Sequence, residues 1–206
     1  MRILVTGGAG FIGSHTVDAL VAAGGHQVSV LDNLASGKRE QVNAGARFYQ
    51  ADLRDAAAVR EVVEKEKPEV IVHLAAQMDV RRSVADPPFD AQVNLVGFLN
   101  LMESARGHGL RRVIFSSTGG AIYGEQEQFP CSEEHPLRPV SPYGVAKLAT
   151  EKYLFFYKVQ YGIDYVALRY ANVYGPRQDP HGEAGVVAIF CGRLIEGRAL
   201  TIFGDG

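Results

Sequence analysis

Short apolar stretches rich in β-branched residues alternate along the chain with longer stretches of helical periodicity. The apolar stretches predict strands at 2–7, 27–32, 47–52, 69–75, 111–117, 164–170 and 199–204. The helical patterns predict helices over 11–23, 55–66, 89–106, 142–161 and 185–197. Near-continuous apolar strands separated by helices are typical of a parallel sheet covered on both faces. We therefore expect an α/β fold built on a doubly wound parallel sheet with right-handed crossovers.

Composition narrows the class of protein further. The chain has 206 residues, 47% of them apolar and 21% charged, which is typical of a soluble globular protein with a real core. A net charge of -2 without a basic block argues against a nucleic-acid partner, and no apolar run is long enough for a membrane span. Two distant cysteines, Cys131 and Cys191, favour a reducing cytoplasm. Six scattered histidines without metal-type spacing indicate no metal site.

A glycine-rich segment, "VTGGAGFIGSH", follows the first strand and opens the first helix. It spaces Gly7, Gly10 and Gly13 three residues apart. Glycines at these points allow a tight turn and let the backbone approach a pyrophosphate, which the amides of the helix N-terminus then face. An ordinary strand–helix turn is the alternative, but the strand–loop–helix context favours a Rossmann-type dinucleotide site. The predicted contacts in this segment are Gly7, Gly10, Phe11, Ile12 and Gly13.

The second strand ends in an acidic residue, Asp32. A carboxylate about 20 residues beyond the glycine turn accepts hydrogen bonds from the adenosine ribose and repels a 2′-phosphate, so we expect NAD rather than NADP. Lys38 and Arg39 could instead pair with a phosphate, although a solvated loop explains them more simply. The predicted cofactor contacts of this region also include Asn33, Ser36 and Gly37.

The third strand is followed by Asp52, again at the strand end that faces the ligand crevice of an open sheet. The edge of the adenine is one partner for its carboxylate. A cap for the helix that begins at residue 55 is the alternative. Leu53 beside it completes this part of the predicted cofactor site.

The segment "SPYGVAK" opens the long helix over 142–161. Ser141 is a favourable N-cap and Pro142 a favourable first residue, so Tyr143 and Lys147 fall one turn apart on the same face. The pair is either a surface contact or an acid and base in one site. The glycine turn upstream favours the second interpretation.

Several motifs together resemble the extended short-chain dehydrogenase/reductases, and within them the nucleotide-sugar 4-epimerases. They are the glycine turn, "HLAAQ" (73–77), "VNLVG" (93–97), "FSSTGGAIYG" (115–124), "SPYGVAK" (141–147) and "LRYANVYGPRQ" (168–178). The resemblance runs from the first residue to the last. It implies that residues 1–178 form an NAD-binding Rossmann domain. It also implies that residues 179–206 are the beginning of a smaller, apparently truncated substrate-binding domain.

The resemblance makes Tyr143, Lys147 and Thr118 the catalytic residues. A tyrosine has a pKa of about 10, so it needs nearby positive charge to act as a base at neutral pH. Lys147, an oxidised nicotinamide and the helix N-terminus would supply that charge and lower the pKa of Tyr143. Thr118 takes the place of the hydroxyl that holds the reacting sugar oxygen. One extra residue before "YG" leaves the register open, so Ser117 is the alternative.

Further site residues are implied by the same resemblance. Asn94 matches a residue near the active lysine, or else makes a helix hydrogen bond, and Tyr123 contacts the sugar or belongs to the core. We expect His73, within an apolar strand, to be a core residue rather than a catalyst. The resemblance adds seven residues to the predicted cofactor contacts: Leu74, Ala75, Ala76, Gln77, Asn94, Tyr143 and Lys147. The predicted substrate contacts are Thr118, Tyr123 and Asn172.

The reaction implied is epimerisation at C4 of a UDP-sugar, of the UDP-glucose/UDP-galactose type, through transient hydride transfer to NAD and a 4-keto sugar. A 4,6-dehydratase would carry an acidic pair after Thr118, where this chain has Gly119 and Gly120. The same scaffold could instead serve a reductase of the superfamily or a non-catalytic NAD sensor. The family also implies a homodimer that pairs through helices such as 89–106 and 142–161.

Overall fold

The computed structural model describes residues 1–179, 185–202 and 204. It divides the chain into two compact units, Met1–Ala171 and Asn172–Gly206. Within the described ranges, no helix is both long and apolar enough to cross a membrane.

The first unit contains a six-stranded, fully parallel sheet in the order β3-β2-β1-β4-β5-β6. The strands are β1 (Arg2–Thr6), β2 (Gln27–Asp32), β3 (Arg47–Gln50), β4 (Val70–His73), β5 (Arg112–Thr118) and β6 (Asp164–Tyr170). The doubly wound fold predicted from the sequence is confirmed. Each of these strands begins and ends within two residues of the bounds predicted from its apolar stretch.

Helices connect the strands. They are α1 (Phe11–Ala23), α2 (Ala56–Glu66), α3 (Val80–Ala85), α4 (Pro87–Ala91), α5 (Gly97–Ala105), the single turn α6 (Gly119–Ile122) and α7 (Pro142–Tyr161). The predicted helix over 89–106 is interrupted by a π-helical turn, Gln92–Val96, between α4 and α5. The sequence analysis missed α3, which Asp79 caps through the Arg82 amide. It also placed the start of α4 two residues late, after the Pro87 that opens it.

Two apolar clusters lie on opposite faces of the sheet, because successive side chains of a strand point to opposite sides. On the first face, Leu4, Ile71 and Phe115 pack with residues of α2, α5 and α7. On the second face, Val5 and Val30 pack against Val17 of α1. On this second face, Val166 and Leu168 of β6 remain 44% and 37% exposed.

The second unit contains α8 (Val186–Ile195), within the predicted helix over 185–197. Arg193 donates from Nη1 to the Thr201 hydroxyl at 2.7 Å. The predicted strand over 199–204 is not present at residues 199–202. A strand needs a neighbour to complete its hydrogen bonds, and none of the described strands pairs with this segment. Residue 203 of that prediction lies outside the described residues, as do 180–184, 205 and 206 of the predicted 179–206 domain.

Candidate active site

The candidate site lies at the carboxyl edge of the sheet in the first unit. Because all six strands are parallel, the segments that follow them meet at the same edge. Strand β1 pairs with β2 on one side and with β4 on the other. This reversal of strand order opens the crevice in which doubly wound sheets bind their ligands.

The glycine turn has no room for side chains. Gly7 has φ +72°, and a Cβ on it would lie 2.6 Å from the Ala75 nitrogen. A Cβ on Gly13 would lie 2.0 Å from the Gly7 carbonyl oxygen, to which the Gly10 amide donates at 3.1 Å. No side chain caps α1, which begins at Phe11 and Ile12. The result is a close-packed turn at an uncapped helix N-terminus, which fits a pyrophosphate.

Asp32 is fixed by two backbone amides. Its Oδ2 accepts from the Ala9 amide at 3.0 Å and its Oδ1 from the Leu34 amide at 2.8 Å, and the residue is 7% exposed. Each carboxylate oxygen keeps a further lone pair, so the group can still accept from ribose hydroxyls. Gly37 approaches the same turn, since a Cβ there would lie 2.9 Å from Cβ of Ala9, while Asn33 and Ser36 are exposed.

Asp52 is bound by its neighbours and does not cap α2. Arg54 donates to both carboxylate oxygens, at 2.9 and 2.8 Å, and holds the pKa of Asp52 well below its usual range. The Asn33 amide also donates to it, at 2.9 Å. Asp55 is the N-cap of α2, so the capping role suggested for Asp52 is wrong. Leu53 is buried in the first core cluster.

The segment after β4 is held by a side-chain amide. Asn94 accepts from the Gln77 amide and donates to the Gln77 carbonyl, both at 2.9 Å. Leu74, Ala75 and Ala76 precede this anchor and are half-buried at the crevice edge. Asn94 therefore makes long-range bonds to the segment that we expect to face the cofactor, and it also makes a bond within its own helical segment, to Asp90 four residues earlier.

His73 is a core residue. It is 2% exposed, and its Nδ1 is hydrogen-bonded to the Thr6 hydroxyl at 2.7 Å. Burial, and to a smaller extent the charge of Lys147, lower the pKa of His73 to about 3. A neutral imidazole that is bonded to Thr6 and stacked on Phe115 agrees with the sequence-based expectation.

Lys147 is buried beneath the edge of the sheet. It is 3% exposed and donates from Nζ to the Ser116 carbonyl at 2.7 Å, with the ammonium 4.8 Å from the Phe115 ring centroid. Burial lowers its pKa to about 8, although the charge of Asp90 opposes that shift. A lysine so placed is costly to bury, which favours a functional role.

Tyr143 lies on the same face of α7, as the four-residue spacing predicted. The Lys147 ammonium is 5.6 Å from its ring centroid, and the ring is half-buried. Burial, and to a smaller extent the charge of Asp90, raise the pKa of Tyr143 to about 12. The lowering expected from Lys147, the nicotinamide and the helix N-terminus together stays a prediction, and it has to overcome both the burial of the phenol and the charge of Asp90.

The two hydroxyls at the end of β5 have different surroundings. Ser117 is 3% exposed and donates to Glu151 of α7 at 2.6 Å. Glu151 also receives two bonds from Arg169, at 3.1 and 2.8 Å. Thr118, the last residue of β5, is half-buried.

Tyr123 and Asn172 are the other two predicted substrate contacts. Tyr123 is 7% exposed, and its hydroxyl accepts from Arg169 at 3.0 Å, so its position favours a place in the core. Asn172 is the first residue of the second unit. Their role toward a sugar stays a prediction.

Three charged residues of this region were missed by the sequence analysis: Asp90, Glu151 and Arg169. Asp90 precedes Asn94 by one helical turn, which is the signal that could have found it. Glu151 and Arg169 are 18 residues apart, and no local pattern joins them. Among the described residues, no group of three His, Cys, Asp or Glu side chains is placed to hold a metal ion.

Comparison with known proteins gives consistent results. Residues 3–206 match the family described as the NAD dependent epimerase/dehydratase family. The chain is 53% identical over 211 residues to a UDP-glucose 4-epimerase of Mycolicibacterium smegmatis, covering all of this chain and 67% of that protein. A UDP-glucose 4-epimerase of Lacticaseibacillus casei is 44% identical over 212 residues, with 100% and 63% covered.

Two solved structures are also similar. A UDP-glucose 4-epimerase of Thermotoga maritima, solved with UDP-glucose, has a TM-score of 0.96 at 53% identity and covers all of this chain and 67% of that one. The Thermus thermophilus UDP-glucose 4-epimerase, in complex with NAD, has a TM-score of 0.93 at 54% identity, with 98% and 65% covered. The chain thus spans about two thirds of the length of these relatives.

The fold and the site define a Rossmann-type protein of the extended short-chain dehydrogenase/reductase class. The glycine turn lies at the switch point of the sheet, and the tyrosine–lysine pair opens α7. With the matches above, the chain belongs to the NAD dependent epimerase/dehydratase family.

Proposed function

We propose that this chain is the NAD-binding and catalytic part of a UDP-glucose 4-epimerase. The observation that carries the proposal is the Tyr143–Lys147 pair, with Lys147 buried and anchored to the Ser116 carbonyl. The names of the relatives at 44–53% identity support the same substrate class. In this proposal, residues 1–178 bind the cofactor and residues 179–206 belong to the substrate-binding part.

The residues at the carboxyl edge fit NAD. Backbone amides at the start of α1 would receive the pyrophosphate, because the packed turn at Gly7 and Gly13 lets it approach closely. Asp32 would accept from the adenosine ribose and disfavour a 2′-phosphate. When bound, NAD⁺ supplies the acceptor for the C4 hydride and then returns it.

The residues of the chain would handle the proton. Tyr143 takes the proton of the sugar 4-hydroxyl and gives it back after the 4-keto sugar has rotated in the site. The configuration at C4 is inverted because the hydride then returns to the other face of the sugar. Thr118 donates or accepts a hydrogen bond at the same oxygen and holds it near the phenol. Lys147 keeps a positive charge beside the developing phenolate. Gly119 and Gly120 offer no acid or base for an elimination, so a dehydratase is not supported.

The exposed apolar residues of α7 support a homodimer. Phe155, Phe156 and Val159 are 59%, 45% and 68% exposed along one helix, and Val96 of the preceding helical segment is 46% exposed. A second copy of the chain would cover such a surface, as apolar surface of this extent tends to be buried in assemblies. A cytoplasmic location fits the two free cysteines.

The first experiment is to denature the purified protein and identify the nucleotide released, and then to assay a panel of UDP-sugars. We expect NAD rather than NADP, and interconversion of UDP-glucose and UDP-galactose. Release of NADP would contradict the role of Asp32. Retained NAD without turnover of any UDP-sugar would contradict the epimerase assignment and favour a sensor.

The second experiment separates the two hydroxyls of β5. Thr118→Val should lower kcat by about a hundredfold, since one hydrogen bond to the reacting oxygen is lost. Ser117→Ala should lower thermal stability, because Glu151 loses a buried donor, and change kcat far less. The reverse result, with kcat lost in Ser117→Ala alone, would make Ser117 the catalytic hydroxyl.

A further inference from the structure

Asp90 is a buried carboxylate that the proposed reaction does not use. It lies in α4 and is 1% exposed. Its Oδ1 accepts from Gln77 Nε2 at 3.0 Å and from Asn94 Nδ2 at 2.9 Å, whereas its Oδ2 is buried without a hydrogen-bond partner. A buried carboxylate with an unpaired oxygen is costly, so its presence calls for a function.

The Oδ1 bonds place Asp90 at the centre of the network that holds the end of β4. Asn94 is paired with both main-chain groups of Gln77. The Gln77 side chain also donates to the Asp79 carbonyl and accepts from the Asp79 amide, both at 2.8 Å. Every polar atom of the two amide side chains is used. Gln77 and Asn94 each donate one side-chain N–H to the backbone and the other to Asp90.

The backbone around this network is unusual. Asn94 lies within the π-helical turn Gln92–Val96, one turn after Asp90. Such turns occur mostly as single insertions in α-helices and frequently at functional sites. Here the turn joins α4 to α5 at the point where Asn94 reaches the segment after β4.

Asp90 also acts on the catalytic pair. Helix α4 packs against α7. The negative charge of Asp90 raises the pKa of Lys147 and that of Tyr143, although burial lowers the first and raises the second.

The other groups around Lys147 supply no negative charge. His73 of β4 is neutral at physiological pH, β5 offers the Ser116 carbonyl and the Phe115 ring, and α7 itself offers the Tyr143 phenol. Glu151, the next acid along α7, is paired with Arg169. Among the described residues, Asp90 is thus the only carboxylate whose charge shifts the titration of Lys147.

We propose that Asp90 is a positioning residue of this site. It fixes Gln77 and Asn94 at the end of β4, and from α4, which packs against α7, it is the buried counter-charge of the Lys147 ammonium. Its effect on catalysis rests on the proposed function. Its effect on Lys147 concerns the chain alone and is measurable without turnover.

The test replaces Asp90 by asparagine. Asp90→Asn keeps the shape of the side chain and an oxygen that accepts from Gln77 and Asn94; it removes the charge and puts an amide nitrogen in place of Oδ2. The matched control is Asp86→Asn, the same change at the exposed N-cap of α4, where asparagine caps equally well. If Asp90→Asn does not fold, Asp90→Ser is the second variant, because it removes the charge and keeps a hydroxyl acceptor on a shorter side chain without adding an amide nitrogen.

The first measurement is NMR of isotopically labelled lysine side-chain nitrogens across pH. Lys147, identified by its loss in Lys147→Met, should titrate near pH 8 in the parent protein. In Asp90→Asn its titration should move down by about one pH unit, tenfold in proton affinity. It should stay in place in Asp86→Asn. An unchanged titration in Asp90→Asn would overturn the proposal.

The second measurement is the pH profile of sugar interconversion. Loss of the charge lowers the pKa of both Tyr143 and Lys147, so both limbs of the profile should move to lower pH. A purely structural role would reduce the height of the profile and leave its limbs in place, which contradicts the proposal. A shifted lysine titration with no turnover even in the parent protein would refute the proposed function and leave the counter-charge role standing.

Discussion

Tyr143→Phe is expected to abolish sugar interconversion and leave the protein folded. The change removes one hydroxyl and keeps the half-buried ring on α7. General acid–base catalysis by a positioned side chain contributes about 10²- to 10⁴-fold, so we expect kcat to fall by about that factor. The measurement is conversion of UDP-galactose to UDP-glucose, with bound NAD quantified in the same preparation.

The matched control is Tyr153→Phe, which removes a phenol hydroxyl from the same helix at a residue that is 39% exposed. It should keep kcat and bound NAD at the parent level. Tyr143→Phe should also keep its NAD, because the cofactor contacts at the glycine turn and Asp32 are untouched. If kcat of Tyr143→Phe equals that of the control, the acid–base role of Tyr143 is refuted.

Burial shifts the pKa values of Tyr143 and Lys147 in opposite directions. It raises the pKa of the Tyr143 phenol to about 12 and lowers the pKa of the Lys147 ammonium to about 8. Burial thus disfavours the charged form of each group, and the charged forms are the phenolate and the ammonium that the proposed base and its neighbouring cation require. The charge of Asp90 favours the Lys147 ammonium but disfavours the Tyr143 phenolate. A positive charge brought by the cofactor would favour the phenolate.

Local patterns predicted most of the fold and the placement of Tyr143 beside Lys147. Ser141 and Pro142 marked the first turn of α7, and the four-residue spacing placed Tyr143 and Lys147 on one face. The strand ends located Asp32 at the crevice. These inferences succeed because capping, periodicity and the parallel sheet each depend on neighbours in sequence.

The sequence analysis failed where distant contacts decide. The π-helical turn changes the hydrogen-bond register of a helix, and composition does not report it. Burial, which raises the pKa of Tyr143, depends on the elements that pack against α7, α4 and β5 among them. The bond from Ser117 to Glu151 spans 34 residues, so the surroundings of the two β5 hydroxyls became visible only in the fold.

Gly13→Ala is expected to disrupt the glycine turn more than any other single methyl group placed there. The new Cβ would lie 2.0 Å from the Gly7 carbonyl oxygen and 2.8 Å from Cα of Gly8. These are backbone atoms, so no side-chain rotation relieves the overlap, and the turn must move away from α1. Severe overpacking costs about 3 kcal/mol, so we expect the free energy of unfolding to fall by about that amount.

Displacement of the turn should also weaken NAD binding, since the amides of the first turn of α1 would no longer converge on the pyrophosphate. We expect at least about a tenfold loss of affinity, ~1.4 kcal/mol, measured by calorimetry beside urea unfolding of the same protein. Gly107→Ala is the control, because its Cβ meets nothing within 4 Å. It should change stability by less than about 0.5 kcal/mol and leave NAD affinity intact. Equal stability and equal affinity in the two variants would show that the turn tolerates a methyl group, and the close-packed cradle would then be wrong.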